Sequence, residues 1–252
     1  VVFPQGYPGP TGTGYYDVSK DTTYVLGSEQ LPYSAFADIW KRLAEHYKGN
    51  PGVYGYGLIN EPHRMDIPGM AGLENWKQAA QTAINAIRTV DQDKPILVGG
   101  YYWSNAYFWD KQSDNLKNLI DPGNNLVYEA HEYLNKDHSG KYENTDCSTV
   151  DSATRGQDGI APFVNWLRAN GKKGIIGEMG VPQDPCWLKI FDSTLDYISK
   201  NSDVLMSFQY WAAGPWWSSS YDKNIEPTKD ENGNYIDRPQ MTIMSQYINS
   251  GR

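Results

Sequence analysis

The chain has 252 residues and a formal net charge of −8, with 22 Lys and Arg against 30 Asp and Glu. That balance argues against a nucleic-acid partner, because phosphate binding needs clustered cations. Apolar residues make up 39%, enough for one core, and no stretch approaches the roughly 18 apolar residues of a membrane span.

Residues 1–32 are rich in Gly, Pro, Tyr and Thr without a helical period, and they read as an irregular lead-in. Pro32 and Ser34 open a helix with Phe36, Ile39, Trp40, Leu43 and Tyr47 at helical spacing, stopped by Gly49-Asn50-Pro51-Gly52. A strand is predicted over 53–59, then a helix over 73–89 with Trp76, Ala80, Ala83, Ile84 and Ile87 on one face. A strand over 95–98, a short helical segment over 116–120 and a strand over 126–131 follow. Pro162 to Ala169 reads as a helix with Phe163, Trp166 and Leu167 inward. A strand at 175–176, a helix over 186–200, a strand over 204–210 and a helix over 240–248 complete the pass. Asp230-Glu231-Asn232-Gly233-Asn234 reads as a tight turn, since its glycine is misplaced for a calcium loop and no Glu closes it.

Strand and helix alternate without a linker, which implies one domain over 1–252 with a parallel sheet covered by helices. Only five strand–helix units follow residue 50, whereas a closed barrel has eight. Residues 1–32 are too short for three more units at roughly 30 residues each.

Two strings put a glutamate at the end of an apolar run: Tyr54-Gly55-Tyr56-Gly57-Leu58-Ile59-Asn60-Glu61-Pro62-His63 and Gly174-Ile175-Ile176-Gly177-Glu178-Met179-Gly180. Either alone also reads as a turn with a solvated carboxylate. Parallel α/β barrels, however, keep their reactive groups at that strand end. Two carboxylates there can hydrolyse a glycoside, one as proton donor and one as nucleophile. The proton donor must start protonated, which a neighbouring carboxylate favours.

Nine Trp and nineteen Tyr against six Phe add to this reading. Both residue types pair an apolar face with a polar handle, which suits sugar rings, although about half of them are expected in the core. Trp40, Trp76 and Trp166 sit on helix faces and read as core. Cys147 and Cys186 fit either one disulfide of a secreted protein or two buried thiols. No signal peptide is visible, which leaves a mature secreted chain and a cytosolic one both open.

From residue 33 to 252 the chain resembles glycoside hydrolase family 5, and within it the bacterial and fungal endo-β-1,4-glucanases. The residues that carry the resemblance are Phe36-Ala37-Asp38-Ile39-Trp40, Gly57-Leu58-Ile59-Asn60-Glu61-Pro62-His63, Ala86-Ile87-Arg88 and Trp103. Tyr128-Glu129-Ala130-His131-Glu132-Tyr133, Gly177-Glu178-Met179-Gly180 and Tyr210-Trp211-Ala212-Ala213-Gly214-Pro215-Trp216-Trp217 continue it in order. The resemblance implies a (β/α)8 TIM barrel with only its last five strand–helix units recognisable, Glu61 ending the fourth strand and Glu178 the seventh. It implies Glu61 as acid/base, Glu178 as nucleophile, Asn60 on the sugar 2-hydroxyl and Tyr133 donating to the nucleophile. His131 is expected on the sugar or the carboxylates, Trp211 beneath the sugar, and Trp103, Trp216 and Trp217 as further platforms. The family's earlier arginine and histidine have no counterpart, since no histidine precedes His46.

The expectation is therefore a secreted, monomeric, cofactor-free, retaining endo-glucanase acting on β-glucan, with no metal, nucleic-acid or membrane partner. A further N-terminal segment or a second chain is expected to complete the barrel. Mannan, xylan or mixed-linkage glucan as substrate, and a non-catalytic glycan-binding role, stay open. No Gly-x-Ser-x-Gly string supports a serine esterase.

Overall fold

Thr22-Thr23-Tyr24-Val25 is a β-branched and aromatic run, and it pairs as a strand. The computed structural model describes residues 13–17, 19–142, 147–151 and 153–248. Strand β1 (Gly14–Asp17) runs antiparallel to β2 (Thr22–Val25). This corrects the expected irregular lead-in over Gly14–Asp17 and Thr22–Val25, while 26–32 carry no helix or strand; residues 1–12 lie outside the described part. A search for helical period overlooks a four-residue strand. The hairpin docks where it matters: Thr13 N–H donates to the His63 carbonyl (3.0 Å), and His63 N–H donates to Thr13 Oγ1 (2.9 Å).

Helix α1 (Tyr33–Tyr47) buries Phe36, Trp40 and Ala44, four residues apart on one face. Strand β3 (Tyr56–Gly57) follows, then α2 (Gly72–Arg88) and β4 (Ile96–Gly99). Helix α3 (Trp109–Gln112) and a 3-10 turn over Asp114–Asn118 lead to β5 (Leu126–His131). Next come α4 (Arg155–Ala169), β6 (Gly174–Met179), α5 (Pro185–Lys200) and β7 (Leu205–Tyr210). The predicted tight turn joins β8 (Thr228–Lys229) to β9 (Tyr235–Ile236), with Asp230 N–H donating to the Asn234 carbonyl. Helix α6 (Pro239–Ile248) ends the described chain.

Helix α4 begins seven residues before Pro162, so proline does not open it as expected. A proline inside a helix frees the carbonyl four residues back. Here that residue is Asp158, which is exposed, so water can satisfy the group. The ladder of β3 is shorter than the predicted 53–59 because β3 is an edge strand with one neighbour. Leu58 N–H still donates to the Leu97 carbonyl (3.1 Å).

The five strands β3 to β7 are parallel and hydrogen-bonded in chain order. Side chains alternate across each strand. Ile96, Val98, Tyr128, Ala130 and Ile176 face the helices and join the main core, with Trp40, Trp76 and Trp166 as expected. Leu97, Val127 and Ile175 form a separate buried layer on the concave face. This is the architecture of a (β/α)8 barrel represented by five consecutive units. Strands β3 and β7 do not pair with each other among the described residues, so the curve is open. A hollow of about 320 Å³, lined by Tyr54, Leu97, Ile175, Met206, Ser207 and Gln209, lies on that concave face.

Candidate active site

Glu61 stands four residues past β3, with φ +48°. A left-handed backbone is uncommon outside glycine and clusters at functional sites. The loop after β4 repeats the feature at Tyr102 (φ +65°), Trp103 (+56°) and Ser104 (+54°). The two loops lock together. Trp103 N–H donates to the Pro62 carbonyl (3.3 Å), and the His63 and Trp103 rings stack 4.4 Å apart. His63 Nδ1 lies 2.8 Å from the Glu61 carbonyl. The lead-in hairpin, by gripping His63, therefore helps to hold the chain just after Glu61.

Strand β5 delivers His131, and Tyr133 lies just beyond it; β6 delivers Glu178, in register with His131. His131 Nδ1 is 2.8 Å from Glu61 Oε1 and 3.7 Å from Glu178 Oε2, and Nε2 is 3.3 Å from Glu129 Oε1. Tyr133 donates its hydroxyl to Glu178 Oε1. One side-chain atom each of Glu61, His131 and Glu178 all fall within 4.8 Å of one another. Hydrogen bonding accounts for that approach, and we assign it to that rather than to a cation site.

Burial sets the electrostatics. It opposes charge on the His131 imidazole, but the hydrogen-bonded carboxylates of Glu129 and Glu61 and the charge of Glu178 outweigh it and raise the imidazole to about 10. Burial also pushes the Glu178 carboxyl up, against the pull of His131 and the Tyr133 hydroxyl, while the charge of Glu61 pushes the same way as burial. Burial and the Glu178 charge raise the Tyr133 phenol, which stays a donor.

A cavity of about 380 Å³ opens beside Glu61, His131 and Tyr133, with Tyr102, Trp103 and Asn105 on one wall and Asp137 and His138 on another. Trp211 follows β7, donates its N–H to the Met179 carbonyl (2.8 Å), and is 38% exposed. Its ring meets Trp217 edge-on at 5.2 Å, and Trp217 stacks on Tyr221 at 4.7 Å. Trp216 is 90% exposed and Asn60 is exposed. So Glu61, His131, Tyr133 and Glu178 meet in one cluster, with Trp103 lining the adjoining cavity. Trp211 and Trp217 form a partly exposed pair, whereas Trp216 projects into solvent. Cys147 and Cys186 are paired as a disulfide with Cα atoms 6.2 Å apart.

Glu129 and the pair Glu132–His138 join the site with no role expected from the sequence. Glu132 is fully buried, and its Oε1 lies 2.6 Å from His138 Nδ1. Burial raises the Glu132 carboxyl, partly offset by His138. Glu129 had a legible signal: it precedes His131 by two residues, which puts both on one strand face. The partner of Glu132 lies in a loop with no periodicity, so no such signal existed.

A family model described as cellulase (glycosyl hydrolase family 5) matches residues 15–214. Endo-beta-1,4-glucanase A of Emericella nidulans is 38% identical over 223 residues, covering 87% of this chain and 64% of that protein. A probable endo-beta-1,4-glucanase B of Neosartorya fischeri is 39% identical over 193 residues, covering 76% of this chain and 55% of that protein. The chain thus spans less than two thirds of the length of these relatives. Among solved structures, Pseudomonas stutzeri endoglucanase Cel5A in complex with cellobiose superposes with a TM-score of 0.78 at 38% identity, covering 93% of this chain and 65% of that one. XacCel5A in complex with cellopentaose superposes with a TM-score of 0.78 at 36% identity, covering 93% of this chain and 71% of that one. With the strand-end glutamates in the matched span, the chain belongs to glycosyl hydrolase family 5, the cellulase family.

Proposed function

We propose that this chain carries the catalytic pair of a retaining endo-β-1,4-glucanase acting on cellulose-type glucans outside the cell. The observation that carries the reading is the approach of Glu61, after β3, and Glu178, on β6, across the same end of the curved sheet, with oxygens within 4.8 Å and His131 between them. Retaining pairs stand about 5–5.5 Å apart, too close for a water to attack between sugar and carboxylate. Glu178 then attacks the anomeric carbon while Glu61 gives its proton to the departing glycosidic oxygen. Water, deprotonated by Glu61, releases the sugar from Glu178 in the second step. Tyr133 holds Glu178 in position, and Trp211 offers an exposed face for a sugar ring. The relatives named as endo-β-1,4-glucanases, and the two solved structures with cellobiose and cellopentaose, support a β-glucan substrate. We read residues 1–252 as one monomeric domain.

The test is Glu178→Gln assayed on an aryl cellobioside. Turnover should be lost, because an amide is a poor nucleophile, while cello-oligosaccharide binding by calorimetry persists. NMR of the first product of the unaltered protein should find the β-anomer. Near-normal turnover in the variant, or an α-anomeric first product, would sink the reading. Parallel assays on mannan and xylan decide the polysaccharide.

A further inference from the structure

Glu129 is the one carboxylate in the strand-end cluster that the proposed reaction leaves without a task. It is 4% exposed, two residues before His131 on β5. Its Oε1 faces His131 Nε2 at 3.3 Å, across the ring from the Nδ1 that meets Glu61 Oε1 at 2.8 Å. Strand β6 leaves room for it. A Cβ added at Gly177 would stand 2.3 Å from Glu129 Oε1. The glycine beside the proposed nucleophile thus makes the space that this carboxylate fills. A buried carboxylate is costly unless it is paired, and among the described residues its charged partner is His131.

We propose that Glu129 is a positioning residue for the acid/base: it holds the His131 ring doubly protonated, so that Nδ1–H is always donated to Glu61 Oε1 and the transferable proton of Glu61 resides on Oε2. The inference rests on the two-glutamate reading above. A neutral imidazole carries a single N–H. With a carboxylate at Nε2, that proton sits on Nε2, and Nδ1 turns a lone pair toward Glu61. The Glu61 proton is then drawn to the ring side, away from the leaving group. An imidazolium donates from both nitrogens and leaves the other Glu61 oxygen to carry the proton. The charged groups that face the ring are Glu61 from the loop after β3, Glu129 from its own strand and Glu178 from β6; Tyr133 faces it indirectly through Glu178. When the proton leaves Glu61, the cation is already beside the new carboxylate.

The test follows the four histidines of the chain by ring-nitrogen NMR, with His131 assigned by its loss in His131→Asn. In the unaltered protein the His131 ring should still carry both protons at about pH 8, well above the usual imidazole range. In Glu129→Gln it should lose one at lower pH, and Glu129→Asp should fall between. On cello-oligosaccharides, Glu129→Gln should lower kcat about 10- to 100-fold with KM unchanged, as for loss of a charged hydrogen-bond partner. Gly177→Ala, which crowds the carboxylate, should shift His131 in the same direction. A ring neutral at about pH 8 in the unaltered protein, or titrating identically in Glu129→Gln, overturns the proposal. The ring titration is read without turnover, so an inactive unaltered protein counts against the two-glutamate reading and leaves this test intact.

Discussion

Tyr133 and Glu178 show how one hydroxyl shapes a titration. Burial raises the Glu178 carboxyl, and the cation of His131 and the Tyr133 hydrogen bond pull it back. A nucleophile works only when ionised, so under the proposed assignment of Glu178 activity should rise with pH through its pKa. Tyr133→Phe removes a group that stabilises the anion. The acid limb of kcat/KM should therefore move to higher pH. A hydrogen bond to a charged group is about 1.5–3 kcal/mol, so kcat/KM should fall roughly 10- to 100-fold. A pH–rate profile on an aryl cellobioside checks both effects; an acid limb that stays in place refutes the role of the hydroxyl.

At the scale of elements, two helix tryptophans fasten the helices to the reactive ends of the strands. Trp40 on α1 donates Nε1–H to the Leu58 carbonyl (3.1 Å), and Trp76 on α2 donates to the Gly99 carbonyl (2.8 Å). Both rings are fully buried. Trp76→Phe keeps much of the apolar surface but leaves the Gly99 carbonyl without this donor, at a cost of about 1–3 kcal/mol. The urea midpoint should fall with an unchanged slope. Because Leu58 lies three residues before Glu61, Trp40 also links α1 packing to the placement of the site.

Across the whole molecule, two cross-links join segments remote in sequence. Arg88 at the end of α2 grips Asp121 ahead of β5 through Nε (2.6 Å) and Nη2 (2.9 Å), with both side chains 2% exposed. Its Nη1 also donates to the Asp91 and Lys94 carbonyls. Arg88→Ala strands a buried carboxylate and should cost about 3–5 kcal/mol by urea denaturation. Burial alone would raise Asp121, but Arg88 and the N–H groups of Asn125 and Gly123 outweigh it and hold the carboxyl below its ordinary 3.8. The folded pKa lies below the unfolded one. This contribution is therefore complete above pH 3.8 and disappears as pH falls through the folded value. In Arg88→Ala that part of the acid destabilisation should be smaller. The second cross-link, Cys147–Cys186, closes a loop of 39 residues. Its reduction should cost about 4 kcal/mol by the loop-entropy relation. A urea midpoint unmoved by reductant would mean that the cysteines are not bridged in solution.

The sequence alone places most elements and the glutamates that end the strands. Those features are local. Apolar alternation places Leu126–His131, helical spacing buries Trp40 and Trp76, and Gly or Pro punctuation ends each run. It failed where local signals compete, as at Pro162 inside α4 and in the short β1–β2 hairpin. Among the site residues, Glu61, His131, Tyr133 and Glu178 were legible as strand-end groups, and the family resemblance implied the Tyr133–Glu178 bond, yet nothing in their order assigned partners to Glu129 or Thr13. That Glu129 sits behind His131 in the space left by Gly177, and that Thr13 pins His63, emerges only from the three-dimensional arrangement. Those contacts depend on the register and curvature that set strands side by side. Register arises from packing the whole sheet against its helices, which no single stretch of the chain contains.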